Sequence, residues 1–240
     1  MGSVGTGEAG REPPLYSLEG VTKCYKSGEY VVHALRGVDL KVPQGTFISI
    51  VGPSGSGKST LLHILGMLDL PTSGTVRFMD AETTGLGDQQ RNGIRNRSIG
   101  FIFQRYHLIP VLNVEENMKV PFLERRGVDW TAVNRRVSHL IEAIGLDSVR
   151  DHRPNQLSGG QQQRVAIGRA LATSPVVVLA DEPTANLDTT TSTDIIKLMR
   201  RLNEEEGCSF VFSTHDSLVM DYSDEIVRIR DGMLEGMVEA

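Results

Sequence analysis

Eight consecutive residues, Gly52-Pro53-Ser54-Gly55-Ser56-Gly57-Lys58-Ser59, followed by Thr60, constrain this chain more than any others. They fit the spacing of a phosphate-binding loop, in which two glycines enclose four residues and a Lys-Ser pair follows. Their flanks supply the context such a loop needs. Phe47 to Val51 is a short apolar, β-branched run that predicts a buried strand. After the loop, Leu61, Ile64, Leu65 and Leu68 recur at helical spacing, which predicts a helix over 58–68 packed on one face. A plain Gly/Ser turn leaves that order of strand, loop and helix unexplained. The glycines let the backbone approach phosphate, its N–H groups turn inward, and the helix start adds the positive end of its dipole. Lys58 is placed for the β- and γ-phosphates and the Ser59 hydroxyl for Mg²⁺. We read the loop as the site of ATP.

The rest of the composition narrows the setting. With 240 residues and 39% apolar content, the chain has ample core for one or two domains. A net charge of −5 argues against a protein held on nucleic acid by bulk electrostatics. Two cysteines, Cys24 and Cys208, make no disulfide framework and suit a reducing cytoplasm. No apolar run approaches the length of a membrane span, so the chain is not expected to cross a bilayer by itself. Met1 to about Pro14 is glycine-rich and aperiodic, which predicts a disordered tail. Met1 to Thr6 fits a myristoylation pattern, but we read it as plain flexible tail.

Leu15 to Tyr25 and Ala34 to Val42 read as two strands joined by a polar turn at Lys26 to Glu29, with Val38, Leu40 and Val42 alternating. Tyr25 closes the first strand, where its ring could stack on a nucleobase. Pro71 to Gly74 reads as a turn and Thr75 to Met79 as a strand, whereas Asp80 to Arg97 is polar with no strong period. Ile99 to Phe103 is a strand ending in Gln104. Asp129 is a plausible N-cap for an apolar stripe of Val133, Val137, Leu140, Ile141 and Ile144 that Gly145 stops. Next comes Leu157-Ser158-Gly159-Gly160-Gln161, where Ser158 caps a helix and the glycines leave N–H groups free to face an anion.

Val176 to Ala180 is apolar throughout, hence a strand buried on both faces, and it ends in Asp181-Glu182-Pro183. An acid there suits the metal partner of a phosphate loop, with Asp181 holding Mg²⁺ directly or through water. Pro183 predicts an extended Glu182, whose carboxylate then projects toward an attacking water. Ile195, Leu198, Met199 and Leu202 form a further helix stripe, stopped by Gly207. Ser209 to Ser213 is a strand, and His215 stands just beyond its carboxyl end, where α/β ligands bind. Ile226 to Leu234, turning at Asp231-Gly232, reads as a closing hairpin.

Taken together, these motifs resemble the nucleotide-binding subunit of ATP-binding-cassette (ABC) transporters over nearly all of Leu15 to Val238, the Leu157 to Gln161 signature being the most specific. The resemblance implies an α/β fold: a P-loop NTPase (RecA-like) core, an N-terminal antiparallel β subdomain and an inserted α-helical subdomain. It places core and β subdomain in 15–104 and 172–240, and the helical subdomain in 105–171. It implies that Tyr25 stacks on adenine, that Gln104 senses Mg²⁺ and the membrane partner, and that Asp181 and Glu182 are the metal-holding and catalytic acids. Asn186-Leu187-Asp188 resembles the loop that speaks across a dimer, and His215 the residue that contacts the γ-phosphate. Two copies would then pair head to tail, Ser158 and Gly160 of one completing the site over the phosphate loop of the other.

The wording of Gly66 to Gly74, of Gly100 to Gln104 with Leu108 to Pro110, and of Ala180 to Asp188 is similar to the lipoprotein-release and macrolide-export branch. Gly168 stands where that resemblance expects alanine. The branch implies an ATPase working with separate transmembrane permease subunits on the cytoplasmic face of the inner membrane, exporting or extracting a lipoprotein, peptide or drug-class substrate. Its cell-division member, which transmits force or a signal instead, is the alternative. A nucleic-acid or translation ATPase of the same fold fits less well, because one cassette with only about 60 helical residues between its motifs lacks tandem copies or long coiled coils. No nucleic-acid partner is expected.

Overall fold

A computed structural model describes residues 13–28 and 30–239. The lipidation reading, and the disordered-tail reading apart from Pro13 and Pro14, lie outside the described residues. The chain opens with β1 (Tyr16–Ser27) and β2 (Tyr30–Val42), paired antiparallel with Tyr16 opposite Val42. The alternating Val38, Leu40 and Val42 turn to the buried face, as a period of two requires. Then follow β3 (Phe47–Val51), α1 (Lys58–Leu65), β4 (Ser73–Phe78), β5 (Ala81–Glu82), α2 (Asp88–Ser98) and β6 (Ile99–Ile102). A helical stretch comes next, with α3 (Val114–Lys119), α4 (Trp130–Ala143) and α5 (Gly159–Leu171). The chain re-enters the sheet at β7 (Val177–Asp181) and continues through α6 (Thr189–Glu206), β8 (Ser209–Thr214), α7 (Ser217–Asp221), β9 (Glu225–Arg230) and β10 (Met233–Glu239).

Two sheets result. The smaller has the order β2-β1-β4-β5 and is antiparallel, whereas the larger runs β10-β9-β3-β8-β7-β6. Within the larger sheet β9, β3, β8, β7 and β6 are parallel neighbours, and β10 closes the edge as an antiparallel hairpin. Its middle strands are apolar on both faces because both faces are covered. Phe47, Phe210 and Phe212 join one hydrophobic cluster with α4, α5 and α6. Ile48, Ile50, Leu179 and Val211 join another with α1 and the smaller sheet.

The register also places the functional loops. Val51 pairs with Thr214, Asp181 with Ser213 and Ile102 with Ala180, so the carboxyl ends of β3, β8, β7 and β6 are aligned. Gly52, His215, Glu182 and Gln104 therefore leave one edge of one sheet, where open α/β sheets bind ligands.

Several local expectations need correction. The polar turn expected at 26–29 is shorter, because β1 runs on to Ser27. Helix α1 stops at Leu65 rather than Leu68: Gly66 ends it, Met67 turns at φ 54, and Leu68 is exposed. The stretch 80–97, in which no period was visible, holds β5 and the 11-residue α2. No residue of α2 is buried, so it has no apolar stripe to reveal it. It is held instead by Gln90 accepting from Gly87 N–H, by an Arg91–Asp88 pair and by Arg95 donating to the Met67 carbonyl.

Candidate active site

The phosphate loop is shaped by what presses on it. A Cβ on Gly52 would lie 2.1 Å from the Ile229 carbonyl oxygen, and one on Gly57 would lie 2.5 Å from that of Ala34. Gly57 also sits at φ 108, a conformation that only glycine adopts without strain. The Ser56 hydroxyl is buried inside this cradle with no hydrogen-bond partner among the described residues. Lys58 is almost buried, and its Nζ donates to the carbonyls of Gly52 at 2.8 Å and Pro53 at 3.0 Å. A cation is thus held on the loop at the start of α1, where the helix dipole is also positive.

Across the loop stand Asp181, the last residue of β7, and Glu182 just after it. Ser59 Oγ donates to Asp181 Oδ1 at 3.1 Å, so the hydroxyl and the carboxylate converge as two hard oxygen donors. Glu182 Oε1 lies 2.9 Å from His215 Nδ1. Glu182 N–H donates to the Ser213 carbonyl at 2.8 Å, fixing the residue where β7 and β8 end. Ser59, Glu182 and His215 border a cavity of about 780 Å³ that is also lined by Tyr25, Pro53, Ser54, Gly55, Gly57, Lys58, Thr60 and Gln104.

Leu157 to Gln161 does not line that cavity. Ser158 caps α5, its Oγ accepting from Gln161 N–H at 3.3 Å while Gln161 Oε1 accepts from Ser158 N–H at 2.9 Å. Gly159 and Gly160 have a packing role as well: a Cβ on Gly160 would lie 2.6 Å from Thr191 Cγ2, and one on Gly159 3.1 Å from the Tyr106 hydroxyl. The first turn of α5 is thereby pressed against the start of α6. Asp188 caps α6, accepting from Thr191 N–H at 3.0 Å and from Thr191 Oγ1 at 2.6 Å. These hydrogen bonds from Thr191 hold the Asp188 carboxyl below its ordinary range.

Comparison with known proteins decides the family. The profile of the ABC transporter family matches residues 35–185. The chain belongs to the ABC transporter family. It is an ABC ATPase with the cassette fold, an antiparallel sheet joined to a phosphate-loop core. The chain is 46% identical, over 92% of its own length and 92% of the relative's, to the lipoprotein-releasing system ATP-binding protein LolD of Anaeromyxobacter dehalogenans. It is also 46% identical to the macrolide export ATP-binding/permease protein MacB of Syntrophobacter fumaroxidans, over 92% of this chain but only 31% of that protein. A solved structure of the ATP-binding cassette MJ0796, dimeric, in a post-hydrolysis state with ADP and Pi, superposes with a TM-score of 0.85 at 44% identity, covering 93% of this chain and 98% of that one.

Within this ABC cassette, one sequence expectation is overturned. Glu182 is not extended: it sits at φ 47, in the left-handed region. Its N–H bond to Ser213 and the Ser213–Asp181 pairing hold the backbone there against the bias of Pro183. Sequence reasoning also missed contacts around these residues. Thr184 donates to Asp216 Oδ2 at 3.0 Å, tying the loop after Glu182 to the loop after His215. Asn186 Nδ2 donates to the Gln104 carbonyl at 2.7 Å. Asp69 and Lys23 meet the Tyr25 side chain. The Thr184, Asn186 and Asp69 contacts join residues far apart in the chain, and no local pattern marks them.

Proposed function

We propose that this ABC cassette binds ATP with Mg²⁺, dimerises around it, and uses hydrolysis to power export or membrane extraction of a lipoprotein, peptide or drug-class substrate through separate permease subunits. The convergence of Ser59 with Asp181, and of Glu182 with His215, at the rim of the phosphate-loop cavity carries this reading. The residues present fit such a ligand: a glycine cradle with an orphaned hydroxyl, one buried lysine, and one hydroxyl–carboxylate pair. Among the described residues no cluster of three or more His, Cys, Asp or Glu side chains could hold a metal alone. That suits Mg²⁺, which takes one or two protein oxygens and the rest from phosphate and water.

In this reading Tyr25 stacks on the base, and Gly52 to Gly57 with Lys58 and Thr60 wrap the phosphates. Ser59, Asp181 and Gln104 face Mg²⁺, which when bound offsets the charge of the phosphates. Glu182 polarises the attacking water, and His215, bonded to it, reaches the γ-phosphate. Ser158 and Gly160, outside the cavity of their own chain, close the site of a second copy, and Asp188 lies on the loop between the two sites. The dimeric MJ0796 cassette with ADP and Pi supports this arrangement.

Beside Gln104 a groove of about 450 Å³ is lined by Leu68, Phe101, Phe103, His107, Pro121 and Arg169. We assign the permease contact to it, because an aromatic row, with Phe103 5.7 Å from Phe101 and 5.0 Å from His107, leads to Gln104. No described helix is long and apolar enough to cross a membrane; in this reading separate permease subunits supply the path and hold the cassette on the cytoplasmic face. The test is copurification of the chain with permease subunits from detergent extracts, then substrate transport in vesicles containing both. ATP-driven transport is expected only with both present, and transport independent of this chain would refute the reading.

A further inference from the structure

The turn after α1 sends the chain back toward the end of β1. Gly66 lies so close to Phe101 that a Cβ there would be 2.5 Å from the ring, and Met67 is buried at φ 54. That reversal brings Asp69 to two side chains on one face of β1. Asp69 Oδ2 accepts the Tyr25 hydroxyl at 2.8 Å, and Oδ1 accepts the Lys23 ammonium at 2.6 Å. Oδ1 also takes the Leu70 N–H at 2.7 Å, and Lys23 Nζ donates to the Leu70 carbonyl at 2.7 Å. The same Nζ lies 4.9 Å from the centroid of the Tyr25 ring.

Stacking on a base needs an aromatic face but no hydroxyl, since every base offers a π-face. Here the hydroxyl has another use: with its end tied to Asp69 and a cation on one face, the ring has little freedom left. Burial alone would raise the Asp69 carboxyl, but hydrogen bonds from Lys23 and Tyr25 outweigh it and hold the group below its ordinary range. The Tyr25 phenol is pushed up, by burial first and by Asp69 second. Both groups therefore keep the protonation states their bond requires.

We propose that Asp69, assisted by Lys23, is a positioning residue for the nucleotide base, fixing the plane of the Tyr25 ring from the turn that follows the phosphate helix. Base and phosphates are thereby read from one stretch of chain, with Lys58 at the start of α1 and Asp69 in the turn beyond its end. The inference rests on the reading of Tyr25 as the base platform. A platform fixed before binding loses less freedom on binding, a gain of roughly three- to tenfold in affinity.

The test is titration of the full chain with ATP and, separately, with inorganic tripolyphosphate, which lacks the base. Asp69→Ala should weaken ATP about three- to tenfold and leave tripolyphosphate unchanged. Tyr25→Phe removes only the hydroxyl of an exposed ring, risks no core packing and should give the same loss. In a Tyr25→Ala background, Asp69→Ala should add nothing. If Tyr25→Ala leaves ATP affinity intact, the base-platform reading itself fails. If Tyr25→Ala weakens ATP but Tyr25→Phe does not, or if Asp69→Ala weakens tripolyphosphate equally, the positioning role is overturned while the platform stands.

Discussion

At the scale of single residues, Glu182 and Lys58 are asked for different things. Glu182 stands beside His215 at the rim of the cavity, and Lys58 sits within the loop. Glu182→Gln keeps the shape but not the basicity, so ATP turnover measured by phosphate release should fall roughly 10²- to 10⁴-fold while ATP is still bound. Wild-type turnover in that variant would remove Glu182 from the role. Lys58→Ala removes the only charge within the loop and should abolish tight ATP binding in an equilibrium titration; unchanged binding would contradict its placement. The two cysteines differ for a simpler reason. Burial, aided by the Glu206 charge, pushes the Cys208 thiol up to about 12, whereas Cys24 is partly exposed. In the native protein, near an ordinary thiol pKa of about 8.5, a thiol reagent should label Cys24 and spare Cys208. Mass mapping that finds both labelled equally would contradict the burial of Cys208.

At the scale of elements, the packing of α5 sets the stakes. Gly168 leaves room for its neighbours: a Cβ there would lie 2.5 Å from Met118 Cε and 2.9 Å from Ile144 Cδ1. Read from sequence, Gly168 in place of alanine costs under about 1 kcal/mol of helix propensity. The structure adds an opposing effect, since overpacking costs about 1–3 kcal/mol. Gly168→Ala should therefore lower the urea midpoint, and a higher midpoint would show that Met118 moves aside freely. Gly100→Ala is more severe, because its Cβ would meet the Ala170 backbone oxygen at 2.5 Å, and backbone cannot swing away as a side chain can. The middle strands and α4 were legible because apolar runs and a capped stripe are local signals: Asp129 accepts from Thr131 N–H at 2.9 Å, where the cap was expected. Helix α2 was not legible, because it buries no residue, and neither was the left-handed turn at Glu182, because a bond from the adjacent strand sets it. The phosphate loop and its acids could be read from sequence because each ends or begins a strand or helix. The Asp69–Tyr25 and Thr184–Asp216 contacts could not, because the tertiary fold alone brings their residues together.

At the scale of the whole molecule, the arrangement of two anion-facing devices is the central point. The cavity borders the phosphate loop and Glu182, whereas the signature at Leu157 to Gln161 does not line it. The first turn of α5 is also braced on α6, whose start Asp188 caps, so signature and dimer loop form one surface. A second copy meeting that surface would have its own phosphate loop closed by Ser158. The most direct measurement is the mass in solution, by light scattering with and without ATP and Mg²⁺, of Glu182→Gln and of the double variant Glu182→Gln/Ser158→Arg. The account predicts an ATP-dependent dimer for the first, and for the second a monomer that still binds ATP. A double variant that dimerises with ATP as readily as Glu182→Gln would contradict a site shared between two copies.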